Sequence, residues 1–244
     1  MTLLLDLGHT RAKLGEERDG QILRLGAAPI SDIHRLHATL NRRRDPEETL
    51  HAVSTMQGTP GDELREGIEK AWGQPVVWAT SESARGEIGL HYAQPETFGA
   101  DRLLAMRAAR QRTHKALIVV DAGSAIAVDG LAQDNQHCGG WIVPGYFRQK
   151  DGLGMLSAAV HAPPVSPRST VHADTAEAIE SGVWKLLSAG IDAMCTRLRE
   201  DVLGESALVM LTGGDAEKLQ LWCETPMIAV PDLVLEGLVI CAHS

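Results

Sequence analysis

Leu3-Leu4-Leu5-Asp6-Leu7-Gly8-His9-Thr10-Arg11-Ala12-Lys13-Leu14-Gly15 opens the chain, and Ile118-Val119-Val120-Asp121-Ala122-Gly123-Ser124-Ala125-Ile126-Ala127-Val128-Asp129-Gly130 repeats its pattern near the middle. In each, an apolar run ends in Asp-x-Gly, and a second short run follows closely enough to return as the other strand of a hairpin. Overlaying Asp6 on Asp121 matches the acid, the glycine and the apolar approach, so the chain reads as internally duplicated. An Asp-x-Gly turn of this kind offers backbone N–H groups to a phosphate, with a carboxylate beside them that can hold a metal ion or orient water. One such turn alone is an ordinary hairpin connection. Two related copies suggest a nucleotide gripped from both sides.

Outward from these turns the chain alternates sheet and helix. Strands are expected at Gln21 to Leu25, Ala52 to Met56 and Val76 to Ala79, with helices at Asp32 to Leu40 and Gly61 to Trp72 between them. Leu103, Leu104, Met106 and Ala108 give a helix from Ala100 to Arg112 an apolar stripe, and Ala116 to Val120 reads as a buried strand. Further on come a strand at His137 to Val143, a Pro- and Ser-rich loop from His161 to Ser169 and a long helix from Thr175 to Arg199. The end reads as strand Ala207 to Leu211, a Thr212-Gly213-Gly214 turn, a helix, a short strand and a last helix from Asp232. Two α/β halves result, residues 1–114 and 115–244.

Composition narrows the function classes. The 244 residues, 44% hydrophobic and 23% charged, suffice for a sizeable core. A net charge of -9 and an aromatic content of 4% argue against nucleic acid or anionic lipid as partners. Arg42-Arg43-Arg44 is followed by Asp45, Glu47 and Glu48, which reads as a solvated mixed-charge turn. Cys138, Cys195, Cys223 and Cys241 form no C-x-x-C pair, so free thiols are expected rather than zinc or disulfides. The opening apolar run is too short for a signal peptide and no stretch approaches the ~20 apolar residues of a membrane span, so a cytoplasmic location is expected. His34 and His37 sit three apart with no third ligand in view, and no metal site is assigned to them.

Two further constellations carry chemistry. In Pro95-Glu96-Thr97-Phe98-Gly99-Ala100-Asp101-Arg102 a loop enters a helix. Asp101 can be an ordinary first-turn acid favoured by the helix dipole. With Arg102 beside it, the pair can instead accept a hydroxyl proton and fork onto a substrate carboxylate. Gly139-Gly140-Trp141-Ile142-Val143-Pro144-Gly145 reads as a strand between tight turns that lets backbone approach closely. No Walker A signature or protein-kinase loop is present.

The order DLGHTRAK, PETFGADR, DAGSAIAVD, GGWIVPG, DTAEAIESG, TGGD and PDLVLEGL resembles the type III pantothenate kinases, which include the Bvg accessory factors, and does so over nearly the whole chain. The resemblance implies duplicated ribonuclease H-like halves of the acetate and sugar kinase, Hsp70 and actin superfamily, with a central nucleotide cleft. It implies ATP-dependent phosphorylation of pantothenate to 4'-phosphopantothenate, the first step of coenzyme A biosynthesis, by a cytoplasmic homodimer. It places the ATP phosphates on Asp6, Leu7, Gly8, His9, Thr10, Arg11, Ala12 and Lys13, with Mg2+ near Asp6 and Ser124 touching ATP. Asp121 matches the position of a monovalent cation, K+ or NH4+. Asp101 corresponds to the general base, and Tyr92, Gly99, Ala100, Asp101, Arg102 and Thr175 to the pantothenate site. Three departures stand out: His9 for the family's usual Asn, Ser124 for Thr, and Ala127 for Thr. An imidazole does not reproduce the amide's donor and acceptor pattern. His9 therefore motivates a second reading, a catalytically weak relative serving as a regulatory or binding protein. A sugar or acyl kinase of the same superfamily is a third, but it would leave Arg102 and Tyr92 without a carboxylate-bearing ligand.

Overall fold

The computed structural model of the chain describes residues 2–43, 45, 47–56, 58–154, 165–167 and 171–244. It divides into two compact units, Met1–Arg112 with Asp232–Ser244, and Thr113–Pro231.

In the first unit, strands β1 (Thr2–Leu7), β2 (Arg11–Arg18), β3 (Gln21–Pro29), β4 (Thr49–Ser54) and β5 (Val76–Trp78) form one sheet in the order β3-β2-β1-β4-β5. The hairpins β1–β2 and β2–β3 are antiparallel, while β4 and β5 join in parallel through helices α1 (Ile33–Arg43) and α2 (Thr59–Trp72). Side chains alternate across a strand. Leu3, Leu5 and Leu7 accordingly pack with Leu36, Leu40, Ile68 and Trp72 of α1 and α2. Leu4 and Asp6 face the other way, where α4 (Ala100–Arg112) and the last helix pack. A five-residue helix α3 (Ser81–Arg85) follows β5, started by a reciprocal cap between Thr80 and Ser83.

The second unit repeats this plan. Strands β6 (Leu117–Ala122), β7 (Ala125–Leu131), β8 (His137–Pro144), β9 (Leu208–Thr212) and β10 (Ile228–Ala229) run in the order β10-β9-β6-β7-β8, again two antiparallel hairpin pairs followed by two parallel ones. Ile118, Val120, Ile126 and Val128 pack on α6 (Thr175–Leu198) and α7 (Ala216–Trp222) through Trp184, Leu187, Ile191 and Leu219. Two copies of one five-stranded plan are the duplication expected from the repeat and the ribonuclease H-like halves that the family resemblance implies. The copies differ by one residue at the turn. Asp6 pairs with Lys13 across the first hairpin, but Asp121 pairs with Ala127 across the second. The ungapped overlay therefore holds up to the turn and slips by one on the returning strand.

Four expectations need amendment. Chain order places the last helix, α8 (Leu233–Ala242), in the half 115–244, but it belongs to the first unit. There its Gly237 lies so close to the carbonyl of Leu104 in α4 that an added Cβ would stand 2.3 Å from that oxygen. Helix α4 has no single apolar stripe: Leu103, Leu104, Ala105, Met106, Ala108 and Ala109 are all buried, because the helix is covered on several sides. Arg43 is not simply solvated; its guanidinium donates to the fully buried Glu16 at 2.7 Å, and Arg18 pairs with the same carboxylate. Helix α5 (Tyr146–Gly154) was not anticipated. Arg44 and most of the loop from His161 to Ser169 lie outside the described residues. All four cysteines are free, and Cys195 is buried, which pushes its thiol up to about 12.

Helix α5 is held by a polar cluster within the core. Glu180 of α6 accepts from Lys150 Nζ at 2.7 Å, from Trp184 Nε1 at 3.4 Å and from the Tyr146 hydroxyl, whose ring stacks on Trp184 at 4.3 Å. Burial pushes the Glu180 carboxyl upward, but the hydrogen bonds from Lys150 and Tyr146 outweigh it, so its pKa lies below the ordinary value of 4.5. The lowered value means that Glu180 stabilises the fold fully above pH 4.5 and loses that contribution as pH falls through its folded pKa. Glu180→Gln should remove this acid-sensitive part and leave Lys150 unpaired. We expect it to lower neutral-pH stability by roughly 2–3 kcal/mol, below the figure for a fully buried pair because Lys150 keeps some solvent access. Urea unfolding of both proteins from pH 3 to 7 measures this: the gap between them should be widest at neutral pH and narrow on acidification.

Candidate functional site

The first hairpin turn is tied on both flanks. Gly8 N–H donates to the Arg11 carbonyl at 3.0 Å, closing the turn. The Thr10 carbonyl accepts from Ile30 at 2.9 Å, and the Leu7 carbonyl accepts from Thr55 N–H, just past β4, at 3.1 Å. Asp6 is buried because β1 is central and covered on both faces, Ala12 packs with Leu7 on the opposite face, and Lys13, directly across from Asp6, has its Nζ 3.3 Å from Asp6 Oδ2. His9 and Thr10 are exposed at the tip, and Arg11 is exposed at the start of β2. A buried carboxylate, an ammonium and a short run of exposed backbone are thus collected at the end of β1.

Asp101 faces the same side of this sheet. It is the second residue of α4, with its carboxylate hydrogen-bonded by the N–H groups of Asp101 and Arg102 at the helix start. These bonds and the Arg102 charge act to lower its pKa. Burial, and secondarily repulsion from Asp6, outweighs them and holds Asp101 above the ordinary carboxylate value. Gly99 leaves room for this placement: a Cβ there would stand 2.5 Å from Asp101 Oδ1, and the carboxylate would have to turn away. The loop entering α4 is pinned by Ser81, whose hydroxyl lies 3.0 Å from the Glu96 carbonyl and also reaches that of Phe98.

Arg102 is buried, with its guanidinium carbon 4.0 Å from the centroid of the Phe98 ring. Tyr92, itself exposed, packs edge-on to Phe98 at 4.9 Å. Tyr92, Phe98 and Arg102 form one cluster beside Asp101 and the partly buried Gly99 and Ala100. Nothing in the sequence singles out Phe98 beyond its place one residue before the glycine.

The remaining expected residues lie in the second unit. Asp121 ends the apolar run of β6, and Gly123 N–H closes its turn on the Ala125 carbonyl at 3.1 Å, with Ser124 at the tip. Two glycines press on this turn. A Cβ on Gly145 would stand 2.0 Å from the Gly123 carbonyl, and one on Gly213 would stand 2.3 Å from the Ala122 carbonyl. Asp215 N–H donates to the same Ala122 carbonyl at 2.9 Å, and burial raises the Asp215 carboxyl above its ordinary value. Thr175 is elsewhere in this unit. It is exposed at the first turn of α6, whose N-cap Asp174 accepts from Ala176 and Glu177, and it lines an apolar groove of about 680 Å3 with Leu153, Ile179, Val183 and Leu186.

Among the described residues no three His, Cys, Asp or Glu side chains cluster as a protein-only metal cage. Asp6 suits a hard divalent cation held partly by a nucleotide's phosphates, since Mg2+ is commonly bound by one or two carboxylates plus phosphate oxygens. The repulsion between Asp6 and Asp101 marks a place where positive charge is favoured. Among the described residues no helix is long and apolar enough to cross a membrane.

Comparison with known proteins agrees with this reading. The chain is 31% identical to a type III pantothenate kinase of Nitrosomonas eutropha, covering 99% of this chain and 94% of that protein. It is 31% identical to a type III pantothenate kinase of Chromobacterium violaceum over the full length of both. Among solved structures it is similar to a protein described as a Baf family transcriptional activator from Campylobacter jejuni, with TM-score 0.64, 20% identity and coverage of 99% and 97%. It is also similar to a polyphosphate/ATP-glucomannokinase from Arthrobacter, with TM-score 0.52, 13% identity and coverage of 100% and 99%, a likeness of fold. The family model described as type III pantothenate kinase matches residues 2–197, and the chain belongs to that family.

Proposed function

We propose that this protein phosphorylates pantothenate with ATP to give 4'-phosphopantothenate and ADP, the first step of coenzyme A biosynthesis. The observation that carries the reading is the pairing, on one face of the first sheet, of the Asp6–Lys13 turn with Asp101 and Arg102 at the start of α4. The exposed tip of the turn at His9 and Thr10 and the Lys13 ammonium hold the ATP phosphates. Asp6 holds Mg2+, which supplies neutralisation of the charge that builds on the transferring phosphoryl group. Arg102, kept flat by Phe98, receives the pantothenate carboxylate, with Tyr92, Gly99 and Ala100 bordering it. Asp101 accepts the proton of the primary hydroxyl as its oxygen attacks the γ-phosphorus in line; the bond to ADP breaks as the new P–O bond forms. Phosphoryl transfer depends on positioning and charge neutralisation more than on covalent chemistry, and this residue set meets that need.

In the second unit Asp121 holds a monovalent cation and Ser124 contacts ATP. Thr175 contributes to the pantothenate site of a homodimer. The apolar groove beside it, with Leu186 67% exposed, supports burial of that surface against a second copy. A coupled ADP-release assay with pantothenate, run with and without K+, tests the whole reading. Release that depends on pantothenate and rises with K+ is expected. Neither product nor binding heat with ATP would instead favour the regulatory reading that His9 motivates.

A further inference from the structure

His9 stands at the tip of the first turn, where the family's usual residue is Asn, and the structure gives its ring a specific partner. Nδ1 of His9 lies 3.0 Å from Oγ1 of Thr55, the first residue after β4. Thr55 is fixed there independently of its side chain, because its backbone N–H donates to the Leu7 carbonyl. With Nδ1 engaged by Thr55, Nε2 is the ring nitrogen left to point away from β4. An asparagine amide places its donor and acceptor on two different atoms. A histidine ring can replace the donor alone, and only if the outward nitrogen carries hydrogen.

We propose that Thr55 is a positioning residue that makes His9 a working substitute for the asparagine, by holding Nδ1 so that Nε2–H is the donor offered to the nucleotide phosphates. The proposal rests on the function argued above, which places phosphate at this turn. A threonine hydroxyl suits the task because it can donate as well as accept. In the neutral ring a phosphate, which only accepts, selects the tautomer with hydrogen on Nε2, and the hydroxyl matches it by donating to Nδ1; in the imidazolium it accepts from Nδ1–H, and Nε2 still carries hydrogen. A side chain able only to accept would pull the neutral ring's hydrogen to Nδ1 and turn a lone pair on the phosphate.

Four proteins test this: wild type, Thr55→Val, His9→Asn and the double variant, with Thr55→Ser as the conservative control. Thr55→Val should raise the KM for ATP roughly three- to tenfold, the usual range for losing one supporting hydrogen bond. It should leave the KM for pantothenate unchanged, and Thr55→Ser should behave as wild type. In the His9→Asn background Thr55→Val should have no effect on ATP. Nitrogen-15 spectra of the nucleotide-bound wild type should show hydrogen on Nε2. An equal shift on Thr55→Val in both backgrounds, no shift in either, or a bare Nε2 with nucleotide bound overturns the proposal while the kinase activity stands. A wild type that neither binds ATP nor forms product fails the functional reading itself, and this inference with it.

Discussion

Asp101→Asn should lower turnover by about 10²- to 10⁴-fold, the usual contribution of a positioned general base, while leaving the protein at least as stable as the wild type. The two halves of that expectation come from the same geometry. Burial and Asp6 raise the Asp101 pKa above 3.8, so the fold disfavours the ionised carboxylate. Above pH 3.8 the ionised group therefore costs stability, and the cost disappears as pH falls through the raised folded value. An amide carries no charge to desolvate and keeps one oxygen for the helix N–H groups. Its melting temperature at neutral pH should equal or exceed that of the wild type. The kinetics run the other way, since only the ionised form accepts a proton: the acid limb of the wild-type kcat/KM profile, which reports the free enzyme, should lie above the ordinary carboxylate value and be lost in the variant. Gly99→Ala should lower turnover less than Asp101→Asn does, because its methyl, 2.5 Å from Asp101 Oδ1, only turns a carboxylate that keeps its chemistry. Near-normal turnover in Asp101→Asn would remove this residue from the mechanism.

The duplication was legible because both halves carry an apolar strand running into Asp-x-Gly. The order of the strands in each sheet was not, since it depends on pairings between segments far apart in the chain. What the sequence did not disclose were features set by partners remote along the chain. Helix α5 carries Gly152 and Gly154 and no strong apolar period, and its stability comes from Tyr146 and Lys150 meeting Glu180 on α6. Helix α8 reads as an ordinary apolar helix, and nothing before Gly237 meets Leu104 says which unit it closes. The one-residue slip between the hairpins is invisible in an ungapped overlay, since apolar residues occupy both possible registers. At the site, Asp101 and Arg102 were found through their motif, as an acid and a guanidinium at a helix start are too common to stand out alone. Thr55 gave no signal, because its role depends on where β4 ends relative to a turn 46 positions earlier.

The Thr212-Gly213-Gly214-Asp215 turn offers a sharper test of the second unit, because its two glycines look equivalent in sequence and are not. Gly213 adopts φ of +99°, and its Cβ would meet the Ala122 oxygen, carbon and nitrogen at 2.3, 2.5 and 2.6 Å. These are backbone atoms of the strand that carries Asp121, so no rotamer change relieves the contact. Gly214 has ordinary backbone and nothing within 4 Å of an added methyl. Gly213→Ala should cost about 3 kcal/mol or more, combining an unfavourable positive φ with an overpacked contact. Gly214→Ala should stay within about 0.5 kcal/mol of the wild type, as an open-surface change does. Denaturant unfolding separates the two, and ADP release extends the comparison. Whatever of Gly213→Ala still folds must move Ala122 outward, and Asp121 and Ser124 with it. Under conditions where the variant remains folded, its turnover should therefore fall and its K+ dependence weaken, while Gly214→Ala retains both. Equal stability of the two variants would mean that Ala122 yields freely, and the turn would then not be the rigid phosphate and cation support that the proposed chemistry requires.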